Sequence, residues 1–117
     1  MSLSRGEVVW VRLSVGEGTE QSKTRPAIVV SNNAANRSAI RNGRGVVTIA
    51  PLTSARTIAL PHQVAAPMAH TGLTRDAVVQ TEQIRAVDIQ RVMPTGRLAH
   101  SELMASLGHS LRVHLGI

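Results

Sequence analysis

Pro26-Ala27-Ile28-Val29-Val30 is a short apolar run with a β-branched bias that opens on a proline and lies between two polar segments. A run this short suits a buried strand better than a helix, and a proline at its start has no ladder donor to lose. Similar stretches lie on both sides. Upstream, Glu7, Val9, Val11 and Leu13 would share one face of a strand, with Val8 and Trp10 on the other. Downstream, Val46-Val47-Thr48-Ile49-Ala50 ends at Pro51, Ala77-Val78-Val79-Gln80-Thr81 forms another strand, and Gln83 to Val87 continues as strand or bend. Residues 58–66 are strand-like, but Pro61 consigns them to an edge. Residues 14–24 and 31–45 are polar and read as long exposed loops. Only the C-terminal end is helical in pattern, with Ser101 as N-cap, Leu103, Leu107, Leu111 and Leu115 four apart, and Gly116 as the stop. Short strands and one terminal amphipathic helix predict a mainly β fold with a C-terminal helix, a small barrel with the helix packed on it, as one domain over residues 1–117.

Composition narrows the partners. The 117-residue chain has a net charge of +6, and Lys23 is its only lysine, so the excess is arginine. Such a surface favours an anionic partner, and the planar guanidinium fork suits phosphate. Without cysteine there is neither a disulfide frame nor a thiolate metal site. No apolar run approaches the length of a membrane span, so the expectation is a soluble cytoplasmic protein with no membrane association. Trp10 is the only aromatic residue, so binding of a nucleic acid would rest on charge, hydrogen bonds and backbone shape more than on stacking.

Three motif blocks, followed by the terminal helix in its expected position, carry a family resemblance. Arg5-Gly6-Glu7-Val8-Val9-Trp10 is followed by Gly18-Thr19-Glu20-Gln21 and Arg25-Pro26-Ala27-Ile28-Val29-Val30-Ser31-Asn32; then come Pro51-Leu52-Thr53-Ser54, and Gly72-Leu73-Thr74-Arg75-Asp76-Ala77 leading into Glu82-Gln83-Ile84-Arg85. Together they resemble the MazF/PemK toxins along essentially the whole chain. The resemblance implies an SH3-like β-barrel and a homodimer. It also implies metal-independent, sequence-selective cleavage of single-stranded RNA to a 2′,3′-cyclic phosphate and a 5′-hydroxyl. No cofactor is implied, and the activity would be inhibited by a cognate antitoxin with an acidic disordered segment. Carried over motif by motif, Arg25 and Thr53 are the expected catalytic pair. Thr19, Gln21, Lys23, Ser54 and Gln83 are expected RNA contacts, joined by Arg37, Arg41 and Arg44 in the 31–45 segment. Ala77 stands where many members of that family have serine.

The chemistry agrees with these assignments. Attack by a 2′-hydroxyl needs a proton acceptor, a donor for the leaving 5′-oxygen, and donors that stabilise the charge on phosphorus. Arg25 offers five fixed donors but is a poor base; Thr53 offers one hydroxyl, and Glu20 is the nearby carboxylate able to take a proton. Glu82 and Gln83 could equally be hydrogen-bonding groups of the barrel rim. Among the histidines, His109 and His114 do not share a helical face, no zinc-type spacing occurs, and His62 with His70 is the one pair compatible with acid–base work. Two other function classes fit the same barrel: a non-catalytic toxin that poisons a topoisomerase, and an RNA-binding adaptor without activity.

Overall fold

The computed structural model describes residues 2–14, 23–55, 57–58 and 60–117, and only the backbone of 13, 14 and 23. The expected class is found: antiparallel strands with a C-terminal helix. Seven strands, β1 (Glu7–Ser14), β2 (Lys23–Val29), β3 (Val46–Ser54), β4 (Val64–Ala66), β5 (Ala77–Val79), β6 (Arg85–Asp88) and β7 (Val92–Leu98), form one sheet. Its path runs β4-β5-β3-β2-β1-β7, with β6 also paired to β3, so the ladder is open between β4 and β7 and does not close into a complete barrel.

The nine residues of β3 meet three partners. One edge pairs with β2 over Ile49 to Pro51; the other pairs first with β6 over Val46 to Ile49 and then with β5 over Leu52 to Ser54. Pro51 sits where that second edge changes partner. It has no N–H to give there, and its carbonyl accepts Gln80 N at 2.8 Å. Both faces of β3 are buried, and alternation along the strand divides the core in two. Ala50 and Leu52 join Val8, Ile28, Val79, Leu103 and Leu107 in one cluster. Val47 and Ile49 join Val9, Val11, Ala27, Val29 and Val87 in the other.

Each cluster has a helical cover. Helix α3 (Ser101–Leu115) buries Leu103, Leu107 and Leu111 in the first. Leu115 is 51% exposed, contrary to the four-residue repeat. A spacing of four advances about 40° beyond a full turn at each step, so after three steps the side chain has left the buried stripe. The N-cap is His100, whose side chain accepts Glu102 N, and Ser101 is the first helical residue instead of the cap.

Residues 31–45 are not the expected loop. Helix α1 (Asn33–Asn42) occupies the segment, capped by Asn32, which accepts Ala35 N, and by Gly43 in the left-handed region. The helix covers the second cluster with Ala39 and Ile40. Its buried Asn36 donates to Ser31 O at 3.0 Å and accepts from Ser31 Oγ, which in turn takes Thr48 N. A buried face made of alanine and a satisfied asparagine has little hydrophobic periodicity, which is why composition reads as loop. Strand structure in 58–66 is confined to β4, because Leu60 to Gln63 make a turn closed by Gln63 N to Leu60 O. β7, interrupted by Pro94 and Gly96, has no counterpart in the sequence reading; it survives by pairing at the sheet edge through a bulge.

The position of α3 leads to a stability test. Leu107→Ala should cost about 2–5 kcal/mol in urea unfolding, and Leu115→Ala under about 0.5 kcal/mol; equal losses would contradict this helical facing.

Candidate active site

The expected catalytic pair comes from the end of one ladder. Pairing between β2 and β3 ends at Ala27 opposite Pro51. Arg25 lies two residues before Ala27 and Thr53 two residues after Pro51, so continuing the antiparallel register brings both to one level, on the side of the Ala27 and Ile49 cluster. Thr53 is half-buried and held in the ladder opposite Val78, while Arg25 is exposed and pairs along β1 with Val11. A half-buried threonine and an exposed arginine thus stand on the two strands just beyond the point where their pairing ends.

Their immediate neighbours serve the other face. Pro26 and Ser54 border a cavity of about 580 Å³. Its apolar wall includes Val8, Trp10, Leu73 and Ala77, its hydroxyls come from Ser54, Thr71, Thr74 and Thr95, and its cations are Arg75 and Arg97. Neither Arg25 nor Thr53 lines this cavity; alternation along each strand turns adjacent residues to opposite sides. The cavity and the pair expected to be catalytic therefore flank the same strand ends.

Local backbone chemistry positions Arg97. Between β1 and β7 the register jumps from Val8 opposite Arg97 to Val9 opposite Pro94, so Thr95 and Gly96 bulge out. The buried Glu7 carboxylate accepts Gly96 N at 3.0 Å and Ser4 N at 3.3 Å, and Thr95 Oγ1 donates to Val8 O while accepting Arg97 N at 3.1 Å. Arg97 then crosses Gly72, to whose carbonyl its Nη1 donates at 3.2 Å. Gly72 has φ +74°, which favours glycine, and a Cβ there would meet the end of the Arg97 side chain, which would have to shift. The sequence reading overlooked Trp10, Arg75 and Arg97 as wall residues, although Arg75 stands in the third motif; Arg97 is placed by a bulge that no local pattern announces.

Of the expected RNA contacts, Thr19 and Gln21, like the proposed base Glu20, lie outside the described residues, and Lys23 is placed only as a β2 backbone position. Gln83 is exposed on the turn after β5. Arg37 and Arg41, one helical turn apart on α1, border a separate cavity with Leu3 and Asn33, while Arg44 borders another beside Ala35 and Ser38. All three are exposed. The structure separates His62 from His70. His62 Nε2 lies 3.5 Å from Glu82 Oε1, whose carboxylate also accepts Gln63 Nε2 at 3.0 Å, and its ring approaches His114. His70 instead stacks on His100. Glu82 thus serves the rim.

Comparison with known proteins identifies the family and the fold. The family described as PemK-like, MazF-like toxin of type II toxin-antitoxin system matches residues 4–115. Endoribonuclease MazF9 of Mycobacterium tuberculosis is 42% identical over 98% of each chain, and endoribonuclease EndoA of Bacillus subtilis is 32% identical over 100% of this chain and 97% of its own. The crystal structure of MazE-MazF from Deinococcus radiodurans matches with a TM-score of 0.79 and 28% identity, covering 100% of this chain and 98% of that one.

The cavity makes Trp10, 39% exposed and the only tryptophan, a built-in reporter. Titration with a single-stranded oligonucleotide should change its fluorescence. Arg75→Ala and Arg97→Ala should each weaken binding and flatten the log–log salt slope by about 0.7, the loss expected for one phosphate contact. Unchanged affinity in the double variant would move the anion-binding surface elsewhere.

Proposed function

The chain belongs to the PemK-like, MazF-like toxin family of type II toxin-antitoxin systems, and from that premise we propose that it is an endoribonuclease cutting single-stranded RNA, sequence-selectively and without a metal ion. The observation that carries this reading is that Arg25 and Thr53 lie on neighbouring strands, each two residues beyond the last β2–β3 pair, beside a cavity walled by Arg75 and Arg97. The full-length similarity to two endoribonucleases supports it.

In the proposed reaction the substrate's own 2′-oxygen attacks the adjacent phosphorus. A new 2′-O–P bond forms, the P–O5′ bond breaks, and the products are a 2′,3′-cyclic phosphate and a 5′-hydroxyl. The 2′-hydroxyl proton passes to a base, for which Glu20 is our candidate, and the leaving 5′-oxygen acquires a proton. Arg25 binds the phosphoryl oxygens through its planar fork and offsets the charge that builds on them; Thr53 contributes one further hydrogen bond. A guanidinium is a poor base with five donors in a fixed fork, so charge stabilisation is its first role. Trp10 and the hydroxyls of the cavity hold a neighbouring nucleotide, while Arg75 and Arg97 hold the backbone. Ser54, Gln83, Lys23, Thr19 and Gln21 extend the contact along the strand. Ala77 presents only a methyl group to the cavity wall, so no hydrogen bond to RNA comes from that position.

Cleavage of a long RNA should persist in EDTA, and sequencing of the cut ends should reveal a recurrent motif. Arg25→Ala and Thr53→Ala should each slow cleavage about 100-fold or more with an unchanged circular dichroism spectrum. Abolition by EDTA with recovery on adding zinc or magnesium would refute metal independence. Near-normal cleavage by folded Arg25→Ala would refute the catalytic assignment, and binding without cleavage would identify an adaptor.

Regulation follows from the same charge. We propose that a disordered acidic antitoxin segment with a few apolar anchors occupies the RNA surface of a homodimeric toxin, its carboxylates on the arginines and its anchors against Trp10 and Leu73. An acidic peptide of this kind should protect RNA competitively and in a salt-sensitive manner. Charge reversal at Arg37, Arg41 or Arg44 should weaken peptide and RNA together. Loss of RNA affinity alone would place the antitoxin on another surface.

A further inference from the structure

We propose that His70, His100 and Glu102 form a binding site for a divalent transition-metal ion of the zinc or nickel class, separate from the residues assigned to RNA cleavage. Two imidazoles and a carboxylate are the donor types such ions select, and one ligand atom from each lies within 4.8 Å of the other two. Ligand atoms around a tetrahedral ion stand about 3.4 Å apart at ordinary metal–nitrogen distances, so the cluster needs to contract by up to about 1.4 Å. The side chains can supply that movement, since His100 and Glu102 are exposed and His70 is half-buried.

The scaffold beneath them is already held in place. His70 lies in the single-turn helix α2 (Met68–Thr71), and His100 caps α3. His100 N donates to His70 O at 2.8 Å, pinning the two backbones together. The rings stack with centroids 4.5 Å apart and planes inclined by 12°, so their in-plane lone pairs are nearly parallel and the rings must tilt apart for both to point at one ion. Among the described residues no hydrogen bond engages the His70 ring or the Glu102 carboxylate, which leaves both free to ligate. A cavity of about 330 Å³ bordered by His70, Gly72, Arg97 and His100 gives the ion an approach and room for its remaining water ligands. Neither Arg25 nor Thr53 borders it, whereas Arg97, assigned above to the RNA backbone, lines both cavities.

One bond must change. His100 Nδ1 accepts Glu102 N at 3.1 Å, and a neutral ring using that lone pair carries its proton on Nε2. Ligation through either nitrogen therefore gives up the cap: the metal takes the Nδ1 lone pair, or the proton moves to Nδ1 to free Nε2. The Glu102 carboxylate supplies the negative charge that a cation at the positive end of α3 requires.

Calorimetric titration of the full-length protein with zinc chloride, and separately with nickel chloride, tests the site. We expect saturable uptake of one ion per chain, weakened about tenfold or more by His70→Ala, by Glu102→Gln and by His100→Asn, the last keeping a cap-forming side chain. His109→Ala should bind as the parent does. In nitrogen-15 spectra the Glu102 amide should shift on metal addition as it loses its acceptor. Uptake that is absent, equally tight in His70→Ala and Glu102→Gln, or weakened as much by His109→Ala would overturn the proposal, as would a Glu102 amide unmoved at saturation.

Discussion

The fold rests on β3 being satisfied along both edges and buried on both faces. Nine residues take hydrogen bonds from three strands, and their alternating side chains supply both halves of the core. A register slip of one residue would exchange Val47 and Ile49 with Ala50 and Leu52 between two differently shaped clusters, so burial on both sides fixes the pairing of every partner strand. The helices follow, each covering the cluster that β3 presents on its side.

The same alternation distributes the chemistry. Where β2 and β3 part, Arg25 and Thr53 face one side, and their neighbours Pro26 and Ser54 border the cavity on the other. A strand end presents the proposed reactive pair and a cavity wall within two consecutive residues, with rigidity borrowed from the ladder behind. That arrangement suits a reaction whose catalysis consists mainly of positioning and charge stabilisation.

The cavity wall adds a long-range element. Glu7, near the start of β1, holds the bulge of β7 through Gly96 N, and the bulge sends Arg97 across Gly72. Residues far apart in the chain thereby set one guanidinium, and the positive φ of Gly72 is what favours glycine beneath it. Substitution there would displace the arginine before it disturbed the core.

Much of this was legible in local pattern. The apolar runs at Pro26, Val46 and Ala77 mark strands because a β-branched run between polar segments has few other ways to bury itself, and the leucine spacing marks α3. Arg25 and Thr53 were named through motif resemblance, since an arginine before a strand and a threonine after a turn have no local signature of catalysis. Other features came only from tertiary structure. Helix α1 is stabilised by caps and by the Asn36 network, not by an apolar stripe. β7 is held by pairing that offsets its proline and glycine, and Leu115 leaves the buried face because four residues overshoot a helical turn. Arg97 reaches the cavity and His70 meets His100 because contacts between distant segments bring them together. Local sequence determines which residues can bury themselves or cap a helix; which polar groups meet depends on strand register and bulges, set by the chain as a whole.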